Sequence, residues 1–172
     1  MSSVYLSGPM VGLTWPEAIG WRQKVREQLF NLGYTVLVPG RTEPWASDVY
    51  NNVPMSNGSA ADLLKHDMLD VRDADIVLVN LLQWSEGAPA TGTFMELGAA
   101  YALNKKIIVV LRSPNEHPFL KEAATKVVTS LEEAVAWLER VHPAYQHAPE
   151  HRAPMGFRLP HNTPPMYTVR AK

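Results

Sequence analysis

The chain has 172 residues, 46% of them hydrophobic and 19% charged, with a formal net charge of −1. That length suits one domain with a core of useful size, and a near-neutral charge offers no field favouring nucleic acid or an anionic membrane. No cysteine is present, which excludes disulfides, thiolate metal sites and cysteine nucleophiles and fits a cytoplasmic protein.

Met1-Ser2-Ser3 leads straight into a strand, with no basic segment and no long apolar stretch, so neither a signal peptide nor a transmembrane helix is expected. Val4-Tyr5-Leu6-Ser7 reads as a strand ended by Gly8-Pro9. A helix is expected from near Pro16 to Leu32, with an apolar stripe of Ile19, Val25, Leu29 and Leu32 and a stop at Gly33. Tyr34–Val38 is the second strand, closed by Pro39-Gly40, and the βαβ spacing makes the two strands parallel.

Residues 41–59 read as a long loop carrying Pro44, Trp45, Pro54 and Gly58. A helix over 60–73, a strand over 75–81 and a second loop over 83–90 follow. The next helix carries Glu96 and runs to about Asn104; 106–111 is an almost wholly apolar strand of the kind buried on both faces. Val127-Val128 is a short fifth strand, and Ser130-x-x-Glu133 reads as a capping box opening a last helix to about Val141.

Strands alternating with helices imply an α/β fold, a doubly wound five-stranded parallel sheet in flavodoxin-like order. Residues 1–141 form this single domain. Residues 142–172 hold Pro143, Pro149, Pro154, Pro160, Pro164 and Pro165 and four of the six histidines, and read as a Pro/His-rich extended tail.

Glu96 is the most informative residue. It follows a central strand, beyond whose carboxyl end open α/β sheets place their ligand crevice. A carboxylate in the first turn of a helix there can act as nucleophile or base, or it can close a capping box with Thr93. Of the acids before the third strand, Asp70, Asp73 and Asp75 suit a solvated face and a strand entry, whereas Asp67, flanked by Leu63, Leu64 and Met68, is placed to point into the crevice. Tyr5 is either a core aromatic or a hydroxyl that holds a carboxylate. Trp15, Trp45 and Trp84 lie in loops where flat rings suit stacking on a base. Neither G-x-G-x-x-G nor G-x-x-x-x-G-K-[ST] occurs. His147-x-x-x-His151 has metal-ligand spacing but sits in the Pro-rich tail, and no metal is expected.

Three blocks in order, Tyr5-Leu6-Ser7-Gly8-Pro9, then Asp67-Met68 with Val71 and Ala74-Asp75-Ile76-Val77, then Gly92-Thr93 with Met95-Glu96-Leu97-Gly98 and Ala100, resemble the nucleoside 2-deoxyribosyltransferase superfamily, which includes deoxynucleoside 5′-monophosphate N-glycosidases. The resemblance covers about residues 3–112. It implies a flavodoxin-like domain, a nucleophile at Glu96, an orienting aromatic at Tyr5 and a base-side aspartate at Asp67. Ser7, Gly8, Pro9, Met10, Trp84, Thr91, Gly92 and Thr93 become candidate substrate contacts, and Asn115 and His117 are candidates for completing a neighbouring subunit's site.

One departure bears on the reaction. Typical transferases of the family carry a second aspartate six residues before the nucleophile, where this chain has Ala90. The nucleotide hydrolases tend to have a serine there and a hydroxyl-rich phosphate pocket, for which Ser7, Ser85, Thr91 and Thr93, helped by Arg41 or Arg112, are available. The chain matches neither subgroup fully, and the activity the resemblance implies is transfer of deoxyribose between nucleobases through a covalent glycosyl-Glu96, with two alternatives: a nucleoside 5′-monophosphate N-glycosidase, and a non-catalytic nucleotide-binding module. The implied partners are a nucleoside or nucleotide and a free nucleobase, within a homo-oligomer, a dimer or larger, that shares its active sites. No cofactor, nucleic acid or membrane is expected.

Overall fold

The computed structural model describes residues 2–39, 60–84, 90–113 and 117–143. The expected loop over 41–59, most of that over 83–90, and the tail from 144 onward lie outside the described residues. In chain order the elements are β1 (Ser3–Ser7), α1 (Trp15–Asn31), β2 (Thr35–Leu37), α2 (Ala60–Asp73), β3 (Ile76–Asn80), α3 (Thr91–Ala102), β4 (Lys106–Val110), α4 (Pro118–Ala123), β5 (Lys126–Val128) and α5 (Leu131–Val141).

The five strands form one all-parallel sheet in the order β2-β1-β3-β4-β5. This is the flavodoxin-like order, whose topological switch point lies between β1 and β3. Tyr5 is in register with Leu37 on one side and Val77 on the other, and Ser7 with Val79.

The two-residue period of a strand divides the core into two layers. Val4, Leu6, Ile76, Leu78, Ile108 and Val110 face Val25 and Leu29 of α1 and Ala134 and Leu138 of α5. Tyr5, Val77, Val79, Ile107 and Val109 face Val71 of α2, Leu97 and Ala100 of α3, and Leu120 of α4. Every residue of β3 is buried, as a parallel strand covered on both faces requires.

Local chemistry sets the ends of the helices. Before α1, the Glu17 carboxylate accepts from the Thr14 N–H at 2.8 Å and the Thr14 hydroxyl at 2.7 Å, occupying donors that a helix start otherwise leaves unpaired. After α1, Gly33 adopts φ +89°, which costs glycine little. Its N–H reaches Phe30 O at 2.9 Å and the Tyr34 N–H reaches Leu29 O at 3.0 Å, the paired bonds of a Schellman stop. The Tyr34 hydroxyl then ties the layer together by donating to Leu138 O of α5 at 2.8 Å. His142, placed by sequence at the start of the tail, is buried with its ring edge-on to Tyr34 at 4.5 Å.

Four expectations are corrected. α4 was not anticipated: it is six residues long and opens at Pro118. β2 is shorter than Tyr34–Val38. At α5, the Ser130 hydroxyl does accept from the Glu133 N–H at 3.1 Å, but the Glu133 carboxylate reaches back to the Thr129 N–H at 2.9 Å rather than to Ser130. Asp70 is only 7% exposed, not solvated as expected, because Val71 beside it turns that part of α2 onto the sheet; Asp73, one turn on, is exposed and pairs with Arg72.

Candidate active site

Tyr5 and Ser7 alternate with Val4 and Leu6, so both side chains leave β1 on the α3 side of the sheet. α3 starts after the carboxyl end of β3 and crosses this face. Its Glu96 is 7% exposed. The Tyr5 hydroxyl donates to Glu96 Oε1 at 2.9 Å, and the Ser7 hydroxyl donates to Oε2 in a short hydrogen bond. Each carboxylate oxygen thus has its own donor, both from one central strand at the switch point. The capping-box alternative is thereby overturned. α3 has Ala90 as its N-cap, with no side-chain cap; Glu96 falls in the second turn instead of the first, and its carboxylate is engaged with β1, not with the Thr93 N–H.

The electrostatics follow from burial. Desolvation pushes the Glu96 carboxyl above the usual carboxylate range, opposed by the Ser7 and Tyr5 hydrogen bonds and by the Arg22 charge. Burial, then the Glu96 and Asp67 charges, push the Tyr5 hydroxyl far above its ordinary range, so it remains a proton donor to the carboxylate throughout the physiological range. Asp67 is half-buried on α2, which packs against α3 and β1, and its charge is felt at Tyr5 and Arg22. The three residues proposed from sequence as the reacting set therefore lie in one electrostatic neighbourhood, with Tyr5 and Glu96 in direct contact.

Gly8 ends β1 where there is no room for a side chain. A Cβ there would lie 2.9 Å from Asn80 O and 3.0 Å from the Trp21 ring. Pro9 is buried and Met10 half-buried, and the Met10 carbonyl accepts from the Leu13 N–H at 3.2 Å in the turn towards α1. At the start of α3, Thr91 and Gly92 are exposed and Thr93 is buried. Arg112, considered for phosphate, spends its Nε–H on Leu82 O at 3.1 Å. Arg41, Trp45, Ser85 and Asn115 lie outside the described residues.

Trp84, a candidate for stacking on the base, and His117, a candidate for a neighbouring subunit's site, lie on one groove. They line an apolar groove of about 660 Å³ between α3 and α4, together with Phe94, Leu97, Tyr101 and Phe119; Glu96 is not among its lining residues. Trp84 meets Phe94 edge-on at 5.6 Å and His117 meets Phe119 at 5.7 Å.

Sequence reasoning missed Arg22. It is 1% exposed on α1, and its guanidinium donates to Leu6 O at 3.2 Å, to Gly8 O at 2.7 Å and, closely, to Ala18 O. Burial pulls its pKa down to about 10, so it stays cationic at neutral pH. The signal was its position: Arg22 falls in line with Ala18, Val25 and Leu29 on the buried stripe of α1, where an unaccompanied charge is costly. Among the described residues no group of three His, Asp or Glu is arranged to hold a metal, and no helix is long and apolar enough to cross a membrane.

The family model for nucleoside 2-deoxyribosyltransferase matches residues 4–155. In structure the chain is similar to a 2-deoxyribosyltransferase from Bacillus psychrosaccharolyticus, at 20% identity and TM-score 0.57, over 78% of this chain and 90% of the other. It is similar to a 2-deoxyribosyltransferase from Leishmania mexicana at 18% identity and TM-score 0.59, over 83% and 99%. A CMP N-glycosidase from Clostridium botulinum aligns at 16% identity and TM-score 0.51, over 80% and 99%. At these identities the structural likeness is one of fold. No curated protein matches the chain.

Proposed function

We propose that this chain, which belongs to the nucleoside 2-deoxyribosyltransferase family, breaks the N-glycosidic bond of 2′-deoxynucleosides and transfers the deoxyribose to another nucleobase, with Glu96 as nucleophile. The observation that carries this reading is the buried Glu96 carboxylate held by Tyr5 and Ser7 at the switch-point edge of β1.

A carboxylate oxygen of Glu96 attacks C1′ as the C1′–N bond breaks, through an oxocarbenium-like transition state of the kind seen in retaining glycosidases. The bond's electron pair leaves with the base nitrogen, and Asp67 supplies a proton or a hydrogen bond to the departing base. An incoming base then attacks C1′, releases Glu96 and returns the proton to Asp67. Covalent catalysis of this kind divides one difficult displacement into two. The Tyr5 and Ser7 hydroxyls fix the plane of the carboxylate, so that less rotational freedom is lost on reaching the attacking geometry. They and the Arg22 charge also favour the ionised form that a nucleophile requires, against the effect of burial.

A second reading, hydrolysis of nucleoside 5′-monophosphates, is favoured by Ala90 in place of the second aspartate and by an opening turn of α3 that carries exposed Thr91 and no acidic residue. Chromatography separates the readings. Deoxyinosine with free adenine yields deoxyadenosine if the protein is a transferase. Free base from dCMP or dGMP alone, without exchange, overturns transfer in favour of hydrolysis; binding without turnover in either reaction overturns both in favour of a non-catalytic module.

The same reading includes a homo-oligomer. Phe94, Met95, Tyr101 and Phe119 are exposed on α3 and α4, and clustered exposed apolar side chains of this kind mark protein contacts. Sedimentation of the intact chain tests it: a monomer at micromolar concentration removes this part of the proposal.

A further inference from the structure

We infer that Arg22 is a positioning residue for the nucleophile, acting through Ser7. The inference rests on the role proposed for Glu96. It starts from connectivity. Leu6 and Gly8 flank Ser7, and the Arg22 guanidinium donates to the carbonyls of both, at 3.2 Å and 2.7 Å. The peptide on each side of Ser7 is therefore anchored to one rigid planar group, and the Ser7 hydroxyl between them donates to Glu96 Oε2. A third bond, to Ala18 O, fixes the guanidinium to its own helix. The clamp comes from the opposite layer: α1 packs on the Val4–Leu6 face of the sheet, whereas Glu96 lies on the Tyr5–Ser7 face.

The choice of residue follows from this task. The planar fork of arginine presents separate nitrogens to the two carbonyls, Nε to Leu6 O and Nη2 to Gly8 O, whereas the ammonium of lysine must make both bonds from one atom. The Trp21 ring lies 4.6 Å from the guanidinium carbon, and its edge and Arg22 Nη2 also bound Gly8, at 3.0 Å and 3.3 Å from where a Cβ would stand. The end of β1 is thus enclosed by Arg22, Trp21 and the Asn80 carbonyl, with little latitude for Ser7 to move.

Burial of a full charge at 1% exposure needs such a return. Every Arg22 hydrogen bond described goes to a neutral backbone carbonyl, while Glu96 and Asp67 provide the nearby negative charge.

Arg22→Lys keeps a positive charge and removes the fork, and is measured beside Ser7→Ala and the double variant. Displacement of a reacting group by about 1 Å costs about 10²-fold in rate, so R22K is expected to lower kcat by one to two orders of magnitude with KM within about twofold. The losses of R22K and S7A are expected to overlap rather than multiply, since one acts through the other. Wild-type kcat in R22K, or losses that multiply independently, overturns the inference.

A readout without turnover separates this inference from the functional reading. Titration of the Glu96 carboxyl by ¹³C NMR, assigned with Glu96→Gln, is expected to show the same upward displacement in R22K as in S7A, because both weaken the Ser7 bond to the ionised form. If the wild type shows no turnover on any nucleoside or nucleotide, the functional reading fails while this titration still decides on the clamp; an unmoved Glu96 titration in folded R22K overturns it. If R22K and a second variant, Arg22→Gln, both fail to fold, Arg22 holds the fold rather than the nucleophile and the inference falls.

Discussion

Tyr5→Phe tests the site with a single atom. The ring stays in the core, fully buried in the layer shared with Val77 and Leu97, and only the 2.9 Å hydrogen bond to Glu96 Oε1 is lost. A hydrogen bond to a charged group contributes about 1.5–3 kcal/mol, equivalent to about one to two orders of magnitude in a rate or equilibrium. The bond favours the ionised carboxylate, so its removal leaves burial less opposed and raises the Glu96 pKa further. On the proposed mechanism the acid limb of kcat/KM reports ionisation of Glu96 in the free enzyme; it is therefore expected at higher pH in Y5F than in wild type, and activity below that limb is expected to fall about 10- to 100-fold. Ser7 still holds Oε2, so activity is weakened, not abolished. The assay is kcat/KM from pH 4 to 9 for both proteins, with circular dichroism to verify the fold. Superimposable pH profiles would refute the idea that Tyr5 orients and tunes the nucleophile.

Glu96→Gln is expected to abolish turnover and yet to melt higher than wild type at neutral pH. The folded-state pKa of Glu96 is raised, so its carboxyl contributes most stability below its ordinary value of 4.5, and that contribution is lost as pH rises through the folded value. The melting difference between E96Q and wild type should consequently grow with pH and shrink below pH 4.5; a difference that shrinks as pH rises contradicts the burial argument. Gly8→Ala places a Cβ 2.9 Å from a backbone carbonyl; overpacking of this kind costs about 1–3 kcal/mol, so its urea midpoint should drop together with kcat, and wild-type stability would mean that the end of β1 has slack. Leu138→Ala opens a cavity in the fully buried α1–α5 layer and should cost about 2–5 kcal/mol by denaturant unfolding, with kcat and KM unchanged in the folded protein, since α5 supplies no group to Glu96.

Where period and burial coincide, the sequence was legible. The alternation in Val4-Tyr5-Leu6-Ser7 and the apolar runs at 76–80 and 107–110 correspond to β1, β3 and β4, and the strand order follows the flavodoxin-like expectation. α4 escaped because six residues give fewer than two helical turns and no period to read. The Thr93–Glu96 spacing suggested a cap because local geometry is all that spacing carries, whereas the partners of Glu96 are 89 and 91 residues away, on β1. From sequence Ser7 reads as part of a hydroxyl set for phosphate, whereas its hydroxyl is committed to Glu96. Arg22 escaped for a related reason: a lone charge on an apolar stripe reads as an interruption until three backbone carbonyls are seen converging on it. Trp84 reads from sequence as a ring for stacking on a base and His117 as a residue completing a neighbouring subunit's site, and the α3–α4 groove collects both with Phe94 and Phe119.

The central claim is that Glu96 forms a bond to the sugar. Mass spectrometry of the acid-quenched protein during turnover of a deoxynucleoside, followed by peptide mapping across α3, tests it most directly. A deoxyribosyl adduct on Glu96, absent from E96Q, is the result predicted. Turnover by wild type with no adduct at Glu96, accompanied by activity in E96Q, would contradict it.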